Sequence, residues 1–201
     1  RFALSGHRSP NVKFWDIETG RCIRVLTGHT SDIRAVSLAS DSTRGVSGSD
    51  DGTLRLWDLS TGQCLRTYSG HNHPVTSVAL DGDCRWALSG DSDGAVMLWD
   101  VTAGTCLRTF EGHTKSIRNV NLSADGRRVL SASHNEVILL WDTASGRRQR
   151  CLGEDGFHTA CLSSDGSLVL GASSDGSLAL WQADTGNKIW RVKTIGSDVS
   201  S

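Results

Sequence analysis

The sequence lacks several features that would place it in particular classes of protein. Its 201 residues carry a net charge of −1, so the composition does not predict binding to nucleic acid or to an anionic membrane. No apolar run approaches the roughly 20 residues that span a bilayer, and the opening residues, RFALSGH, have no signal-peptide pattern. We therefore expect a soluble intracellular protein, in the cytoplasm or the nucleus, without a membrane partner.

Metal-binding and disulfide patterns are missing too. The six cysteines form no C-x-x-C pair, and three of them, Cys22, Cys64 and Cys106, lie 42 residues apart. Residues that share a position in neighbouring repeats are expected to exceed the ~7 Å Cα separation that a disulfide allows. We expect all six to be small buried hydrophobic residues in a reducing compartment, and we predict no metal and no cofactor.

A repeat of 42 residues accounts for most of the chain. Gly70–Asp100 reads GHNHPVTSVALDGDCRWALSGDSDGAVMLWD, and it aligns without a gap to Gly28–Asp58 and Gly112–Asp142. A period in the 40s, with Gly-His early and Trp-Asp late, is typical of propeller repeats. On these residues the chain resembles the WD40 (β-transducin-like) repeat family over nearly its whole length.

Each repeat contains four short runs of strand length. In the second repeat these are Ile33–Leu38, Arg44–Gly48, Thr53–Asp58 and Gln63–Tyr68, and the intervening ASDS, SDDG and STG favour tight turns. Small or apolar residues occupy both faces of several runs, as expected for sheets packed between two neighbours. We predict an all-β fold, a β-propeller of four-stranded antiparallel blades with about five blades present.

The ends of the chain fall inside repeats. The first repeat lacks its first strand, and the last residues resemble the opening of a new one, so we expect a segment of a longer array. The alternative is a five-bladed ring in which the tail supplies the missing strand. The expected blades are residues 1–27 (partial), 28–69, 70–111, 112–152 and 153–192, with 193–201 beginning a further strand.

The resemblance implies a buried hydrogen-bond network in each complete blade, formed by the Gly-His histidine, a second-strand Ser, a turn Asp and the Trp. In the fourth repeat Asn135 replaces the acid. The matching residues are His29, Ser47, Asp51 and Trp57, then His71, Ser89, Asp93 and Trp99, then His113, Ser131 and Trp141.

The same residue types also make up the Ser-His-Asp catalytic triad. A triad needs an exposed nucleophile beside an oxyanion hole, and an enzyme generally has one such site, whereas this trio recurs every 42 residues beside a Trp. We therefore assign the trio a structural role, name no catalytic residue and predict that the protein is not an enzyme.

The pattern weakens in the first and last repeats. The fifth has Gly171 in place of the Ser, has lost the Gly-His pair and keeps only Asp175 and Trp181. In the first, Ser9 stands where the Asp would be. We expect these blades to be the less stable ones.

Two further patterns are weaker. Asp91–Gly94 resembles the start of a calcium-binding loop but lacks the later Glu, so a turn explains it better. A group of arginines in the fourth repeat could meet an acidic partner, although a solvated blade edge is the simpler interpretation. These are Arg127, Arg128, Arg147, Arg148 and Arg150.

For partner binding, the resemblance implies the narrow face formed by the inter-blade loops and the turns between second and third strands. Three variable positions per blade are expected there, and Arg34 and Arg118 are the best candidate anchors because interfaces favour Arg. The nine positions are Asp32, Arg34, Asp50, Pro74, Thr76, Ser92, Ser116, Arg118 and His134.

The predicted function is a non-catalytic scaffold that binds a protein or peptide, as the docking or sensing module of a larger protein, with no nucleic acid or small-molecule substrate. Two alternatives remain. One is a propeller enzyme with a central-channel active site, which would need a unique cluster of acids or metal ligands. The other is a reader of peptide tails, which would need an aromatic cage from residues such as Tyr68, Phe110 and Trp86.

Overall fold

The predicted all-β class is confirmed. The computed structural model describes residues 1–134 and 136–193, including their side chains except at positions 136, 154 and 155. The described residues form antiparallel strands and short turns without a helix. Within them, therefore, no helix is present that could cross a membrane.

The strands follow one another in chain order, each pairing with the next inside a blade. Blade one has three strands and blades two and three have four. The strands are β1 (Phe2–Ser5), β2 (Val12–Asp16) and β3 (Arg21–Leu26); β4 (Ile33–Leu38), β5 (Arg44–Ser49), β6 (Thr53–Asp58) and β7 (Cys64–Ser69); β8 (Val75–Leu80), β9 (Trp86–Asp91), β10 (Val96–Asp100) and β11 (Cys106–Phe110); then β12 (Ile117–Leu122), β13 (Arg128–Ser133), β14 (Glu136–Asp142), β15 (Arg148–Leu162), β16 (Leu168–Ser173), β17 (Ser177–Gln182) and β18 (Lys188–Lys193).

Blades four and five share one long strand. The first part of β15 pairs with β14 as the outer strand of blade four, and its second part pairs with β16 as the inner strand of blade five. In blade one, β1 is an edge strand among the described residues. The further strand predicted at 193–201 lies outside the described residues, except for Lys193 at the end of β18.

Two irregularities recur at fixed places in the blades. The register between third and fourth strands shifts just before each repeat Trp, at Leu56/Trp57 in blade two and Leu180/Trp181 in blade five. The register between first and second strands shifts at one inner-strand residue, for example between Ile33 and Ala35. Such bulges bend a strand and redirect side chains, so the second series positions side chains on the narrow face.

The hydrophobic core lies between blades. Tyr68, at the end of blade two, packs on Trp99 of blade three with ring centroids 5.8 Å apart, and Phe110 packs on Trp141 of blade four at 5.5 Å. The Tyr68 hydroxyl donates to the Val101 carbonyl at 3.0 Å. Because each blade buries its apolar side chains against the next one, no blade has a complete core of its own.

An arginine on the outer strand connects each blade to the following one. Arg66 donates to the carbonyls of Thr102 and Ala103, and Arg108 donates to those of Ala144 and Ser145. Arg24 and Arg150 make equivalent contacts. Arg128 also contacts blade five, through Gly166 and Asp184. Of the arginines interpreted as a solvated edge, Arg128 and Arg150 therefore join blades.

The expectation that all six cysteines are buried was wrong. Cys84 is buried, but the other five are exposed free thiols. Cys22, Cys64 and Cys106 lie on β3, β7 and β11, which are the outer strands of their blades and have mostly exposed residues. A repeat position that carries a small apolar residue need not face the core when it lies on an outer strand.

Candidate functional site

In blade two a continuous hydrogen-bond network connects the inter-blade loop, the second strand, the turn that follows it and the third strand. His29 Nδ1 lies 2.8 Å from Asp51 Oδ2, and His29 Nε2 lies 2.8 Å from Ser47 Oγ. The indole N–H of Trp57 donates to the same Ser47 oxygen at 2.8 Å. Asp51 also accepts from the amides of Thr30 and Thr53. Four segments of chain are thereby fixed around one imidazole.

The proton positions follow from the partners. An ionised Asp51 only accepts, so Nδ1 of His29 carries the proton, and Ser47 donates its own proton to Nε2. Burial lowers the pKa of His29, which favours this neutral imidazole. Burial raises the pKa of Asp51, but hydrogen bonds from Thr53, Thr30 and His29 outweigh it and lower the pKa to about 2. The carboxylate is therefore charged at neutral pH.

The connectivity is that of a Ser-His-Asp triad, but Ser47 is in no position to act as a nucleophile. Its side chain is fully buried, so a substrate has no access to Oγ. One lone pair of that oxygen already accepts the Trp57 indole proton. A catalytic Ser must present its oxygen to a reacting carbonyl beside an oxyanion hole. The buried geometry supports a structural role for this network.

Blade three repeats the network with a different acid from the one predicted. His71 Nε2 lies 2.6 Å from Ser89 Oγ, and Trp99 donates to Ser89 at 2.8 Å, but His71 Nδ1 pairs with Asp91 Oδ2 at 2.8 Å. The prediction of Asp93 was wrong, since its side chain is 73% exposed and faces His73 at 3.6 Å.

The physical reason lies at the end of the second strand. Asp91 occupies the position of Ser49 in blade two, and both residues are buried. Where the strand ends in Ser, the carboxylate must come from two residues further along the turn. Where it ends in Asp, the carboxylate contacts the imidazole directly and its other oxygen accepts the amides of Asp93 and Ala95. The side chain of the turn residue, Asp93, is then exposed to solvent.

Contacts of the same network are present among the described residues of blades four and one. In blade four, Ser131 lies 2.8 Å from His113 Nε2 and accepts from Trp141 at 2.9 Å, while the predicted acid substitute, Asn135, lies outside the described residues. In blade one, the Trp15 indole donates to Ser5 at 2.8 Å.

Blade five has apolar packing in the same place. Phe157 contacts Trp181 with ring centroids 5.1 Å apart, in a T-shaped arrangement. A Cβ atom at Gly171 would lie 2.9 Å from Trp181 and 3.1 Å from Phe157. The glycine at the network Ser position therefore makes room for the aromatic pair. Asp175, still present, binds Ser177 and Arg191 near the surface.

On the narrow face, the inner-strand bulge places one side chain of each of blades two to five. The bulge residues, which have no partner in the register with the second strand, are Arg34, Thr76, Arg118 and His158. Beside each bulge, a backbone hydrogen bond joins the turn after the second strand to the start of the first strand. In blade two the Asp50 amide donates to the Asp32 carbonyl at 2.9 Å, and the same bond joins Ser92 to Pro74 and His134 to Ser116.

This backbone frame brings most of the nine predicted binding residues into two adjacent depressions. The first, which we call the central depression, has a volume of about 440 Å³. Asp32 lies beside it, with its carbonyl bound by Asp50. The central depression is lined by Arg34, Asp50, Pro74, Thr76, Ser92, Ser116, Ile117 and Arg118.

The second depression, which we call the basic depression, extends from blade four to blade five. Its volume is about 470 Å³. It contains His134, the ninth predicted residue, together with a second histidine from the bulge of blade five. Its lining residues are Arg118, His134, His158, Ser173, Ser174 and Gly176.

One set of structural residues was missing from the sequence-based prediction. The Ser at the end of the second strand holds the inter-blade loop by donating to its carbonyls, as Ser49 does to Ser31 at 3.1 Å and Ser133 to Lys115 at 2.8 Å. Ser173 donates to Gly156 in the same way. The recurrence of Ser at one repeat position was the available signal.

The alternative sites receive no support from the described residues. These residues contain no group of three or more His, Cys, Asp or Glu side chains arranged to hold a metal. Tyr68 and Phe110 are buried between blades, and Trp86 packs on the Gly126 turn of blade four. The three aromatic residues considered for a cage therefore serve blade packing.

Comparison with known proteins agrees with the repeat geometry. The nuclear distribution protein PAC1 of Arthroderma otae is 40% identical over 50 residues, which is 25% of this chain and 11% of that protein. The Lissencephaly-1 homolog of Branchiostoma floridae is 51% identical over 35 residues, 17% of this chain and 9% of that protein. Autophagy-related protein 16 of Arabidopsis thaliana is 39% identical over 41 residues, 20% of this chain and 8% of that protein. The matches thus span a small part of each relative.

A family model covers most of the chain. The model described as "WD domain, G-beta repeat" matches residues 20–58, 62–100, 104–142 and 149–182. Each matched segment ends at or just after a repeat Trp, within the third strand of a blade. With its blades, its networks and these four matches, the chain belongs to the WD40 repeat family.

Proposed function

We propose that this chain is a non-catalytic protein-interaction scaffold whose partner docks on the narrow face, over the central and basic depressions. The observation that supports this most directly is the bulge on each inner strand. Four blades use the same backbone irregularity to present four positions, and these carry Arg, Thr, Arg and His. A fixed frame with variable side chains is what a binding surface needs.

The nine residues predicted for binding remain our proposed contacts, but the structure separates their roles. The Thr76 hydroxyl lies 2.6 Å from the Ile117 carbonyl and 3.1 Å from the Gly90 carbonyl, so its single proton can link blades three and four. Arg34 makes a bidentate ion pair with Asp50, whereas the guanidinium of Arg118 contacts the imidazole of His134. WD40 repeats generally mediate protein–protein interactions, which agrees with a surface built from such polar side chains and supports a scaffold rather than an enzyme.

A charge-reversal experiment tests the proposal. The Arg34→Glu, Arg118→Glu double variant should lose its partner in affinity capture followed by mass spectrometry, because the charge at two of the four bulge positions changes sign. Its melting temperature should stay close to that of the unmodified protein, since exposed ion pairs contribute only about 0–1 kcal/mol.

The matched control is the Arg127→Glu, Arg147→Glu double variant. It makes the same change in net charge at two exposed residues outside both depressions. It should keep the partner. Undiminished capture by the narrow-face variant, or equal loss by both variants, would refute docking on this face.

A further inference from the structure

A third depression lies between blades three and four, and we call it the Trp86 depression. Its volume is about 580 Å³, within the roughly 300–1,000 Å³ of clefts that bind small molecules. It forms where the second and fourth strands of blade three begin and where the third strand of blade four ends. Because the strands are antiparallel, these strand ends lie at the edge of the blades opposite the narrow face.

The walls of the Trp86 depression are apolar. Trp86 stands where blades two and four have Arg44 and Arg128, and its ring packs so closely on the Gly126 turn that a Cβ there would lie 2.3 Å away. Leu98, at the bottom, is 2% exposed.

A bulge on the outer strand brings a second leucine to this wall. The register of β10 with β11 leaves Leu107 without a partner, and its side chain is 48% exposed. Leu107 therefore lines the depression together with its neighbour Arg108. The equivalent bulge residue of blade four is Gln149, so the apolar rim is a property of blade three and not of every blade.

The charged residues at the border already have partners. Arg108 donates to two carbonyls of blade four, and Asp142 accepts from the Ser145 amide at 2.7 Å. The Arg127 side chain is 85% exposed and lies 3.8 Å from Asp125. An uncharged ligand therefore suits this depression better than an ion.

Thr143 adds one polar group to the lining. Leu59, Val101 and Ala183 occupy the same repeat position, so the hydroxyl group is a departure from the repeat. Thr143 is 6% exposed, and its Oγ1 has no hydrogen-bond partner among the described residues. Rotation about the Cα–Cβ bond exchanges the hydroxyl with the methyl group and can turn Oγ1 towards a ligand. A ligand that accepts its proton removes the cost of an unpaired buried hydroxyl.

We propose that the Trp86 depression binds a small uncharged aromatic molecule that carries a hydrogen-bond acceptor. The ring system packs on Trp86 and between Leu98 and Leu107, and the acceptor oxygen takes the hydroxyl proton of Thr143. This site is independent of partner docking on the narrow face, because it lies at the opposite edge of the blades.

Three probes, titrated into the whole chain and followed by NMR of the indole N–H signals, test the proposal. They are 2-acetylnaphthalene, its analogue 2-isopropenylnaphthalene, in which a CH₂ group replaces the carbonyl oxygen, and the capped peptide Ala-Ala-Trp-Ala-Ala. We expect both naphthalenes to bind, and the peptide to bind more weakly than the ketone, since one side chain fills less of the depression.

The Thr143→Val variant tests the polar contact. Val is the residue of blade three at this position, so the fold accommodates it. It should weaken binding of the ketone about twofold to tenfold, the range for one hydrogen bond, and change binding of the hydrocarbon analogue less than about twofold. The melting temperature should not fall, because the hydroxyl that is removed has no partner among the described residues.

A matched pair of leucine variants tests the location. Leu107→Gln introduces the residue that blade four has at this position and should weaken binding of both naphthalenes at least about threefold. Leu65→Gln makes the same change at the equivalent, equally exposed residue of blade two and should alter binding less than about twofold.

The Trp86→Arg variant removes the aromatic wall. It introduces the residue that blades two and four have at this position, and it should weaken binding of both naphthalenes at least about tenfold. Its melting temperature shows whether the variant is folded, and the exposed leucine pair gives the location independently of that result.

Four results would overturn the inference. Absence of binding by both naphthalenes excludes an aromatic ligand, and equal effects of Leu107→Gln and Leu65→Gln place the ligand elsewhere. Equal effects of Thr143→Val on the ketone and on its hydrocarbon analogue refute the hydrogen bond. Tighter binding of the peptide than of the ketone assigns the depression to a partner chain instead of a small molecule.

Discussion

Blades two and five show two ways to fill the same space between sheets. Blade two surrounds Trp57 with the His29–Ser47–Asp51 network, whereas blade five surrounds Trp181 with Phe157 and two glycines. The strand pairing is equivalent in the two blades, including the register shift beside the Trp. The polar network is therefore one solution for the packing of the Trp and is not needed to form the blade.

The cost of each solution differs. A buried network stabilises a fold only when every member finds a partner, because an unpaired buried donor or acceptor costs about 1–3 kcal/mol. In blade two, the imidazole, the hydroxyl and the indole are all paired, as described above. Loss of the His and the Ser together, as in blade five, removes the polar groups as a set and leaves room for an aromatic ring.

Blade five also buries less of its far side. Trp190 stands where the other blades have the connecting arginine, and it is 40% exposed. Val192 is 50% exposed, although its equivalents Tyr68 and Phe110 are fully buried. The outer strand β18 is exposed throughout. Among the described residues, the apolar packing of blade five therefore lies on the side that faces blade four.

The largest expected effect tests the aromatic substitute in blade five. Phe157→Ala should lower the free energy of unfolding by about 3–5 kcal/mol, because it removes a buried ring from Trp181 and leaves a cavity. Urea denaturation measures this change. The Phe157→Leu control keeps most of the volume and should cost less than about 1.5 kcal/mol. A loss below about 1 kcal/mol for the alanine variant would mean that Phe157 does not replace the network.

The next effect separates the two acids of blade three. Asp91→Ala should lower the free energy of unfolding by about 2–3 kcal/mol, since it leaves the proton of His71 and two amides without their acceptor. Asp93→Ala should stay within about 0.5 kcal/mol, as expected for an exposed residue. Chemical denaturation of both variants gives the comparison.

A third variant sharpens that comparison. Asp91→Ser gives blade three the Ser-x-Asp sequence of blade two, so Asp93 could then bind His71 as Asp51 binds His29. We expect it to recover part of the stability lost in Asp91→Ala. Equal losses from Asp91→Ala and Asp93→Ala would contradict the assignment of the acid.

The smallest expected effect compares whole blades. Amide hydrogen exchange should be about tenfold or more faster in residues 151–192 than in 28–110, which corresponds to about 1.4 kcal/mol of local opening. The physical reason is that the described residues of blade five lack the His-Ser-Asp network of blades two and three. Equal protection in the two regions would show that aromatic packing alone stabilises a blade as well as the network does.

Much of the fold and part of the site could be predicted from the repeat alone. The strands and the position of each Trp in the third strand follow from a fixed spacing, because equivalent residues occupy equivalent backbone positions, whereas the pairing of His29 with Ser47 and Asp51 was implied by the family resemblance. The assignment of Asp93 was wrong because it relied on a constant offset between repeats. Such an offset cannot show that the carboxylate of Asp91, two residues earlier, pairs with the imidazole of His71 instead. The prediction that the cysteines are buried was wrong because residue type does not specify which strand of a blade is outermost.

The repeat, the all-β class and the residues able to form the polar networks could be read from the amino-acid sequence, because period, turn residues and hydrogen-bonding groups are local properties. The tertiary structure decided which groups meet. It paired His71 with Asp91, placed Arg34 against Asp50 and Arg118 against His134, and brought residues of blades four and five around one depression. These outcomes depend on distances between segments that are far apart in the chain, and only the packing of blade against blade sets those distances.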